Sequence, residues 1–230
     1  HFYSTFSTMK NLITRYLLFA VIAVFTFSSE KASAQWNMNT ALNLQISGLT
    51  VADMQVVPTS DGKLWIAFYH ENAGNYDMRA QLLDAAGNKL LGPDGVLVSN
   101  QPSGTATFVF TAGKDASDNL IIGMQDERTG TMQAVLYKIS QAGTHLWSSS
   151  GVILGNGLAP WVCGLPNGEV VTCWNGDATL ELQKITTGGT LAWATPISIM
   201  VGASTTTRGQ IVANLDNKFT MVYQKNAGGI

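Results

Sequence analysis

A unit of about 50 residues recurs through most of the chain, and it constrains the fold more than any other feature. In each unit a polar turn leads into a short apolar run, and these runs begin at Leu64, Leu120, Val170 and Phe219. The steps between them are 56, 50 and 49 residues. A period of this size is typical of repeat architectures, in which neighbouring units bury their apolar faces against one another.

A second feature follows roughly 20 residues later in each of the first three units. A turn that contains glycine precedes a large apolar residue, which is Leu91, Trp147 or Trp193. Glycine suits such a turn because it adopts positive φ without a Cβ clash. We expect the large residue to begin the next strand and to dock on the neighbouring unit.

Between these features the sequence has the character of β-strands. The apolar runs are short and rich in β-branched and aromatic residues, and no amphipathic helical period follows residue 35. Four strands in each unit predict the blades of a β-propeller, whose inner strands are apolar on both faces because neighbours cover them. A β-sandwich or an unrelated β-solenoid is the alternative.

We therefore predict an all-β chain that forms an incomplete β-propeller of four-stranded blades over residues 35–230. The predicted blades are about 52–100, 105–155, 159–202 and 207–230, of which the last is truncated. Propellers close with about four to eight blades. About three and a half blades therefore predict a fragment with two open apolar faces, and we expect such a fragment to self-associate. The segment 41–46 has strand character, and we expect it to form the outer strand of the final blade.

The first 34 residues have the layout of an export signal and not of a folded unit. Residues 1–8 contain no Met and are interpreted as an upstream extension that is not native. The segment 9–34 starts at Met9, carries two basic residues at Lys10 and Arg15, continues with an apolar run over 16–27 and ends in Ala-Ser-Ala. This order is typical of a secretory signal peptide.

We predict cleavage between Ala34 and Gln35. A membrane anchor is the alternative, but the apolar run has 12 residues, whereas a spanning helix needs about 20. No apolar run of that length remains in the mature chain. The sequence therefore predicts a secreted or cell-surface protein without a membrane span.

The first unit carries the segment NYDMRAQLLDAAGNKLLGPDGV over residues 75–96. It resembles the D-I-Y-A-Q-x-x-D-x-x-G-x-x-L-W-G-x-x-G-V repeat of exported bacterial β-propeller proteins, which often end in a type IX secretion sorting domain. The glycine turns are also similar to the tryptophan-docking turns of quinoprotein-type propellers. The resemblance covers about residues 44–230 and implies an exported propeller, but it implies no particular activity.

Acidic residues recur near the predicted turn between the second and third strands of each unit, at Glu71, Asp77, Asp126, Glu127 and Asp177. Loops on one face of a propeller converge, so these acids can form a rim that contacts a glycan or holds Ca²⁺, which prefers oxygen ligands. The calcium-loop pattern D-x-[DN]-x-[DN]-G is absent. Solvated turn acids are the alternative.

Asp126 and Arg128 stand two residues apart at a strand end. This spacing predicts an ion pair that fixes the loop, and the alternative is a contact to a ligand. Exposed pairs of this kind stabilise a fold by only about 0–1 kcal/mol.

The two cysteines flank a predicted turn at residues 166–168. A turn centred on Gly168 places Cys163 opposite Cys173, and we then expect a cross-strand disulfide, which the exported compartment permits. A turn centred half a residue earlier points them to opposite faces. Two separate buried thiols are the alternative.

The formal net charge of −2 gives no basic surface for nucleic acid. No zinc-protease, redox-cysteine, nucleophile-elbow or phosphate-loop motif occurs, so the chain is not identified as an enzyme and no cofactor is predicted. We predict an exported module for binding or surface interaction, with an unidentified protein or glycan as partner. The alternatives are part of a carbohydrate-active enzyme whose catalytic residues lie outside this chain, and a structural spacer in a large surface protein.

Overall fold

The computed structural model of the chain describes residues 43–104, 110–177, 179–200 and 205–226. The upstream extension, the signal peptide over 9–34 and the cleavage site between Ala34 and Gln35 lie outside these ranges and stay predictions. The described residues form β-strands and turns without a helix. None of them therefore belongs to a helix that could cross a membrane.

The strands form successive antiparallel sheets in chain order, which we call blades 1 to 4. Blade 1 contains β1 (Val51–Pro58), β2 (Leu64–Asn72), β3 (Asn75–Leu83) and β4 (Val96–Ser99). Blade 2 contains β5 (Thr111–Lys114), β6 (Leu120–Asp126), β7 (Gln133–Ile139) and β8 (Val152–Asn156). Blade 3 contains β9 (Leu158–Gly164), β10 (Val170–Asn175), β11 (Leu180–Ile185) and β12 (Ile197–Ile199). The described part of blade 4 contains β13 (Thr205–Ala213) and β14 (Phe219–Asn226). The prediction of an all-β chain with four-stranded propeller blades is confirmed.

Adjacent blades pack face to face, and the same face of each blade meets the blade that follows it. Alternate side chains of a strand point to opposite faces of its sheet, so each strand contributes side chains to both neighbours. One core cluster joins β2 to β6 through Trp65, Ala67 and Tyr69 on one side and Leu120, Ile122 and Met124 on the other. We call the face that a blade turns towards the next blade its forward face, and the opposite one its backward face. Burial on both faces explains why β6 is apolar along most of its length.

Two of the three large residues that follow a glycine turn, Leu91 and Trp147, dock on the next blade, as expected. The Nε1 atom of Trp147 donates to the carbonyl oxygen of Thr187 in blade 3 at 3.0 Å. A Cβ on Gly189 would lie 2.6 Å from the Trp147 ring, so only glycine fits beneath the indole. Leu91 occupies the same position against Gly143 of blade 2.

These docking residues do not begin the outer strands, which corrects the sequence prediction. Leu91 precedes β4, which starts at Val96. The side chain of Gln81 accepts a hydrogen bond from the Leu91 amide at 3.0 Å and donates to the Gly92 carbonyl oxygen at 2.7 Å. Gln81 thereby bonds the Leu91 amide and the Gly92 carbonyl oxygen, which a strand at this position would pair with its neighbour, and β4 begins only after these residues.

The predicted disulfide is not formed, because Cys163 and Cys173 are both free. In the β9–β10 pairing Cys163 lies opposite Val171 and Cys173 lies opposite Trp161, so the turn is centred on Asn167. The cysteines are thus displaced by two residues from direct opposition. Burial raises the pKa of the Cys173 thiol to about 12, so it is uncharged at neutral pH.

Candidate functional site

The acidic residues predicted as a rim fall into two structural groups. Counted from the first residue of the second strand in each blade, Glu71, Glu127 and Asp177 occupy equivalent positions at or just beyond the end of that strand. Glu71 is the last residue but one of β2, Glu127 directly follows β6, and Asp177 lies two residues beyond β10. Asp77 and Asp126 instead lie within the sheets, where Asp77 faces His70 across the strand pair and Asp126 faces Gln133.

Asp77 is occupied by its own hairpin. Its carboxylate is buried and accepts hydrogen bonds from the side-chain amides of Asn72 at 2.9 Å and Asn75 at 2.8 Å. The Nδ1 atom of His70 lies 3.9 Å from the same carboxylate. These contacts fix the β2–β3 turn and leave Asp77 little capacity for a ligand.

Asp126 forms a buried pair with Arg128. The Nε atom of Arg128 donates to both carboxylate oxygens, at 2.9 and 3.0 Å, and its Nη2 atom donates to Asp126 and to Tyr137 Oη. The Tyr137 hydroxyl also contacts Ser99 Oγ of blade 1 at 2.9 Å. The hydrogen bond to Asp126 raises the pKa of Arg128, and burial raises the pKa of Tyr137. The geometry is that of the loop-fixing ion pair, extended to the neighbouring blade.

The three equivalent turn acids remain accessible to solvent to different degrees. Glu71 and Asp177 are exposed and Glu127 is half-buried. Among the residues that the structure describes, no three His, Cys, Asp or Glu side chains are grouped closely enough to hold a metal ion. The calcium rim stays a prediction.

A cleft of about 510 Å³ opens beside Asp177, between the outer strand β8 of blade 2 and the β10–β11 hairpin of blade 3. Its volume falls in the range of small-molecule sites, about 300–1,000 Å³. The lining residues are Leu154, Gly155, Asn156, Trp174, Gly176, Asp177, Thr179, Glu181 and Pro196. Of these residues, Asp177 is one of the acids that the sequence predicts as ligand contacts.

Glu181 is the second acid of the cleft, and its carboxylate is held in place. It accepts hydrogen bonds from Thr179 Oγ1 and from Ser198 Oγ, the latter at 3.0 and 2.8 Å to its two oxygens. Register aligns Glu181 with Arg79 in blade 1 and with Val135 in blade 2. Two acids beside one cleft are therefore a feature of blade 3 and not of the repeat.

Trp174 forms the buried floor of the cleft. Its Nε1 atom donates to the carbonyl oxygen of Asn156 at 3.1 Å, which ties the indole to the end of β8. Gly157 adopts φ of +135°, and a Cβ there would lie 2.6 Å from the indole. The Gly-Asn-Gly run at 155–157 is the sequence signal for this close approach.

No family model matches the sequence, and no curated protein matches it either. Among solved structures, the chain is similar to an endo-arabinase from Bacteroides thetaiotaomicron VPI-5482, with 14% identity, a TM-score of 0.42, and coverage of 74% of this chain and 68% of that one. It is also similar to Zg3597, a family 117 glycoside hydrolase produced by the marine bacterium Zobellia galactanivorans. There the identity is 12%, the TM-score is 0.40, and the coverage is 69% of this chain and 49% of that one. The chain thus spans about half the length of the family 117 protein.

Proposed function

We propose that the chain is an exported β-propeller module that binds a hydroxyl-rich ligand, of the glycan class, in the cleft of blade 3. The observation that carries this proposal is the pairing of Asp177 and Glu181 beside a cleft whose floor is the indole of Trp174. The predicted signal peptide over 9–34 supports export of the module.

The chemistry of the lining suits sugar hydroxyl groups. Carboxylate oxygens accept hydrogen bonds from hydroxyls, and such charge-assisted bonds are stronger than neutral ones. The Asn156 side chain offers both a donor and an acceptor. The Trp174 indole is 1% exposed and closes the floor of the cleft, so contacts to a ligand fall to the polar groups that border it.

Preorganisation supports the same assignment. Because Thr179 and Ser198 already orient the Glu181 carboxylate, a ligand meets an acceptor that loses little side-chain freedom on binding. Unlike Glu181, which is half-buried, Asp77 and Asp126 are buried as well as engaged by protein donors. Glycan binding is common to the binding module and to the carbohydrate-active alternative, and no reaction is proposed.

Titration calorimetry against a panel of neutral oligosaccharides tests the proposal. We expect one or more to bind, and we expect Asp177→Asn and Glu181→Gln each to weaken binding about tenfold, the effect of losing one charge-assisted hydrogen bond. The matched control is Glu71→Gln, which alters the equivalent turn acid of blade 1 and leaves the cleft intact. Absence of binding across the panel, or equal weakening by the control, would contradict the proposal.

A further inference from the structure

The two acids of the blade 3 cleft have no basic counterpart beside them. The described residues that line the cleft include Asp177 and Glu181 but no Lys, Arg or His. Lys184 is the only basic residue in the sequence between 158 and 200, and it pairs with Glu169 at 2.9 Å. The cleft therefore carries two negative charges that no cation of its own blade balances.

The backbone brings these two acids close together. Glu181 pairs with Trp174 across the β10–β11 hairpin, so its side chain lies on the backward face of blade 3, towards blade 2. A Cβ on Gly176 would lie 3.1 Å from Cγ and 3.4 Å from Oε1 of Glu181. The residue directly before Asp177 thus lies against the Glu181 carboxylate, and the two like charges repel each other across a short turn.

The turn that carries Asp177 is itself fixed. The amide of Gly176 donates to the carbonyl oxygen of Thr179 at 2.9 Å, which closes the loop around Asp177. The acids cannot separate freely to relieve their repulsion, so a bound cation would relieve it instead.

The Glu181 carboxylate keeps acceptor capacity for a ligand. Thr179 Oγ1 and Ser198 Oγ each supply one proton to it, whereas a carboxylate can accept about four hydrogen bonds. Both donors are neutral hydroxyls, so they orient the carboxylate without balancing its charge.

Blade 2 shows how the protein treats an acid at the same end of a blade when no ligand is needed. There Arg128 binds the Asp126 carboxylate, and both side chains are largely buried. Blade 3 has an open cleft at this end and no described cation in it. The missing positive charge is therefore a property that a ligand can supply.

We infer that the ligand of this cleft is a glycan with a free amino group, whose ammonium binds Asp177 and Glu181. The inference rests on the proposed function and narrows its ligand class. An ammonium brings three donors and no acceptor, so it matches carboxylate oxygens better than a hydroxyl with its single donor. Hydrogen bonds between two charged groups are also stronger than those between a charged and a neutral group.

The same arrangement selects against related sugars. Acylation of the amine removes its charge, and a uronic acid or a sulfate ester adds a negative charge that the two carboxylates repel. The cleft should therefore distinguish an amino sugar from its N-acetylated form.

Titration calorimetry with two trisaccharides tests the inference. The β-1,4-linked trimer of glucosamine and cellotriose differ only at C2, where the first carries an ammonium and the second a hydroxyl. At pH 6 an amine of ordinary pKa is protonated. We expect the glucosamine trimer to bind about tenfold more tightly in about 20 mM salt, and this advantage to shrink to about threefold in about 0.5 M salt because exposed charges are screened. The N-acetylated trimer should bind no more tightly than cellotriose.

Substitution of both acids tests where the ammonium binds. The double variant Asp177→Asn with Glu181→Gln keeps the shape of the two side chains and removes their charges, so it should bind the two trisaccharides equally. The matched control is Glu71→Gln, an exposed acid outside the cleft, which should keep the preference of the parent chain. The comparison of the two trisaccharides on the parent chain does not depend on the folding of any variant.

The outcomes separate this inference from the proposed function. Equal affinity of the parent chain for the two trisaccharides, or a preference that survives in the double variant, overturns the amino-sugar assignment and leaves the glycan site standing. Spermidine that binds as tightly as the glucosamine trimer overturns it too, because the cleft would then recognise charge alone. Failure of both trisaccharides also overturns it, and the panel of neutral oligosaccharides then decides whether the glycan site stands.

Discussion

The β6–β7 hairpin of blade 2 and the β10–β11 hairpin of blade 3 share their position in the repeat but use their acids differently. Asp126 of blade 2 is 1% exposed and is bound through both oxygens by Arg128. Asp177 of blade 3 is exposed and borders a cleft. Asp126 stands one position before the counterpart of Asp177, and this position inside the sheet, with burial and a cationic partner, distinguishes the acid that stabilises the fold from the acid that borders the cleft.

Removing the cation from blade 2 should have the largest effect. Arg128→Ala leaves the Asp126 carboxylate buried and unpaired, which typically costs about 3–5 kcal/mol. It also removes the hydrogen bond from Arg128 to Tyr137, whose hydroxyl contacts Ser99 of blade 1. Urea unfolding measures the loss directly.

The matched change in blade 3 is Asp177→Asn, which should alter the free energy of unfolding by no more than about 0.5 kcal/mol. Equal stability of the Arg128→Ala and Asp177→Asn variants would remove the distinction between the hairpins.

The lysines of the third strands sharpen the comparison. Lys138 of blade 2 binds Asp115 at 2.7 Å, with 6% and 4% of the two side chains exposed. Lys184, its equivalent in blade 3, binds Glu169 at 2.9 Å with 28% and 22% exposed. We expect Asp115→Asn to lower the free energy of unfolding by about 2 kcal/mol at pH 7, and Glu169→Gln by about 0–1 kcal/mol.

The same pair predicts a dependence on pH. Burial alone would raise the pKa of Asp115, but hydrogen bonds from Asn119 and Lys138 outweigh it and hold the pKa below the usual value. A carboxyl with a lowered folded pKa stabilises the fold above its unfolded pKa of about 3.9, and this contribution is lost as the pH falls through the folded value. The parent chain and Asp115→Asn should therefore converge in stability below about pH 4. A constant difference down to pH 2 would contradict the assignment.

Two glycines contrast a substitution that clashes with one that has open space. A Cβ on Gly157 would meet the Asn175 carbonyl oxygen at 2.3 Å and the Trp174 ring at 2.6 Å, whereas a Cβ on Gly130 of the blade 2 hairpin would meet nothing within 4 Å. Both have positive φ, of +135° and +79°. Gly130→Ala should cost about 1 kcal/mol from strain alone, and Gly157→Ala about 3 kcal/mol, because a clash adds to a larger strain at φ of +135°. Thermal unfolding compares the two variants, and similar losses would show that the Trp174 floor tolerates displacement.

The blades were predictable because their signals are local. A polar turn before an apolar run marks each second strand, and a glycine turn before Leu91 or Trp147 marks each docking residue. The start of β4 was not predictable in this way, because it depends on Gln81 reaching across to the backbone of Leu91 and Gly92. That contact arises only when the sheet has formed.

The candidate site was predicted only in part. Asp177 was singled out from its turn, but Glu181 lies inside β11, and only register places it across from Trp174. The cysteine pairing failed for a related reason, since moving the turn centre from Gly168 to Asn167 displaces the two cysteines by two residues. Register is set by the whole sheet, so a single turn does not determine it.

The most direct test of ligand binding in blade 3 is the indole N–H resonance of each tryptophan during titration with an oligosaccharide. Trp174 lies at the floor of the cleft, whereas the indoles of Trp65 and Trp147 are bonded to Asp118 and Thr187 in the interfaces between blades. We expect the Trp174 resonance to shift in a saturable manner, and the resonances of Trp65 and Trp147 to stay in place. An oligosaccharide that binds while the Trp174 resonance remains unchanged would contradict the assignment of the site.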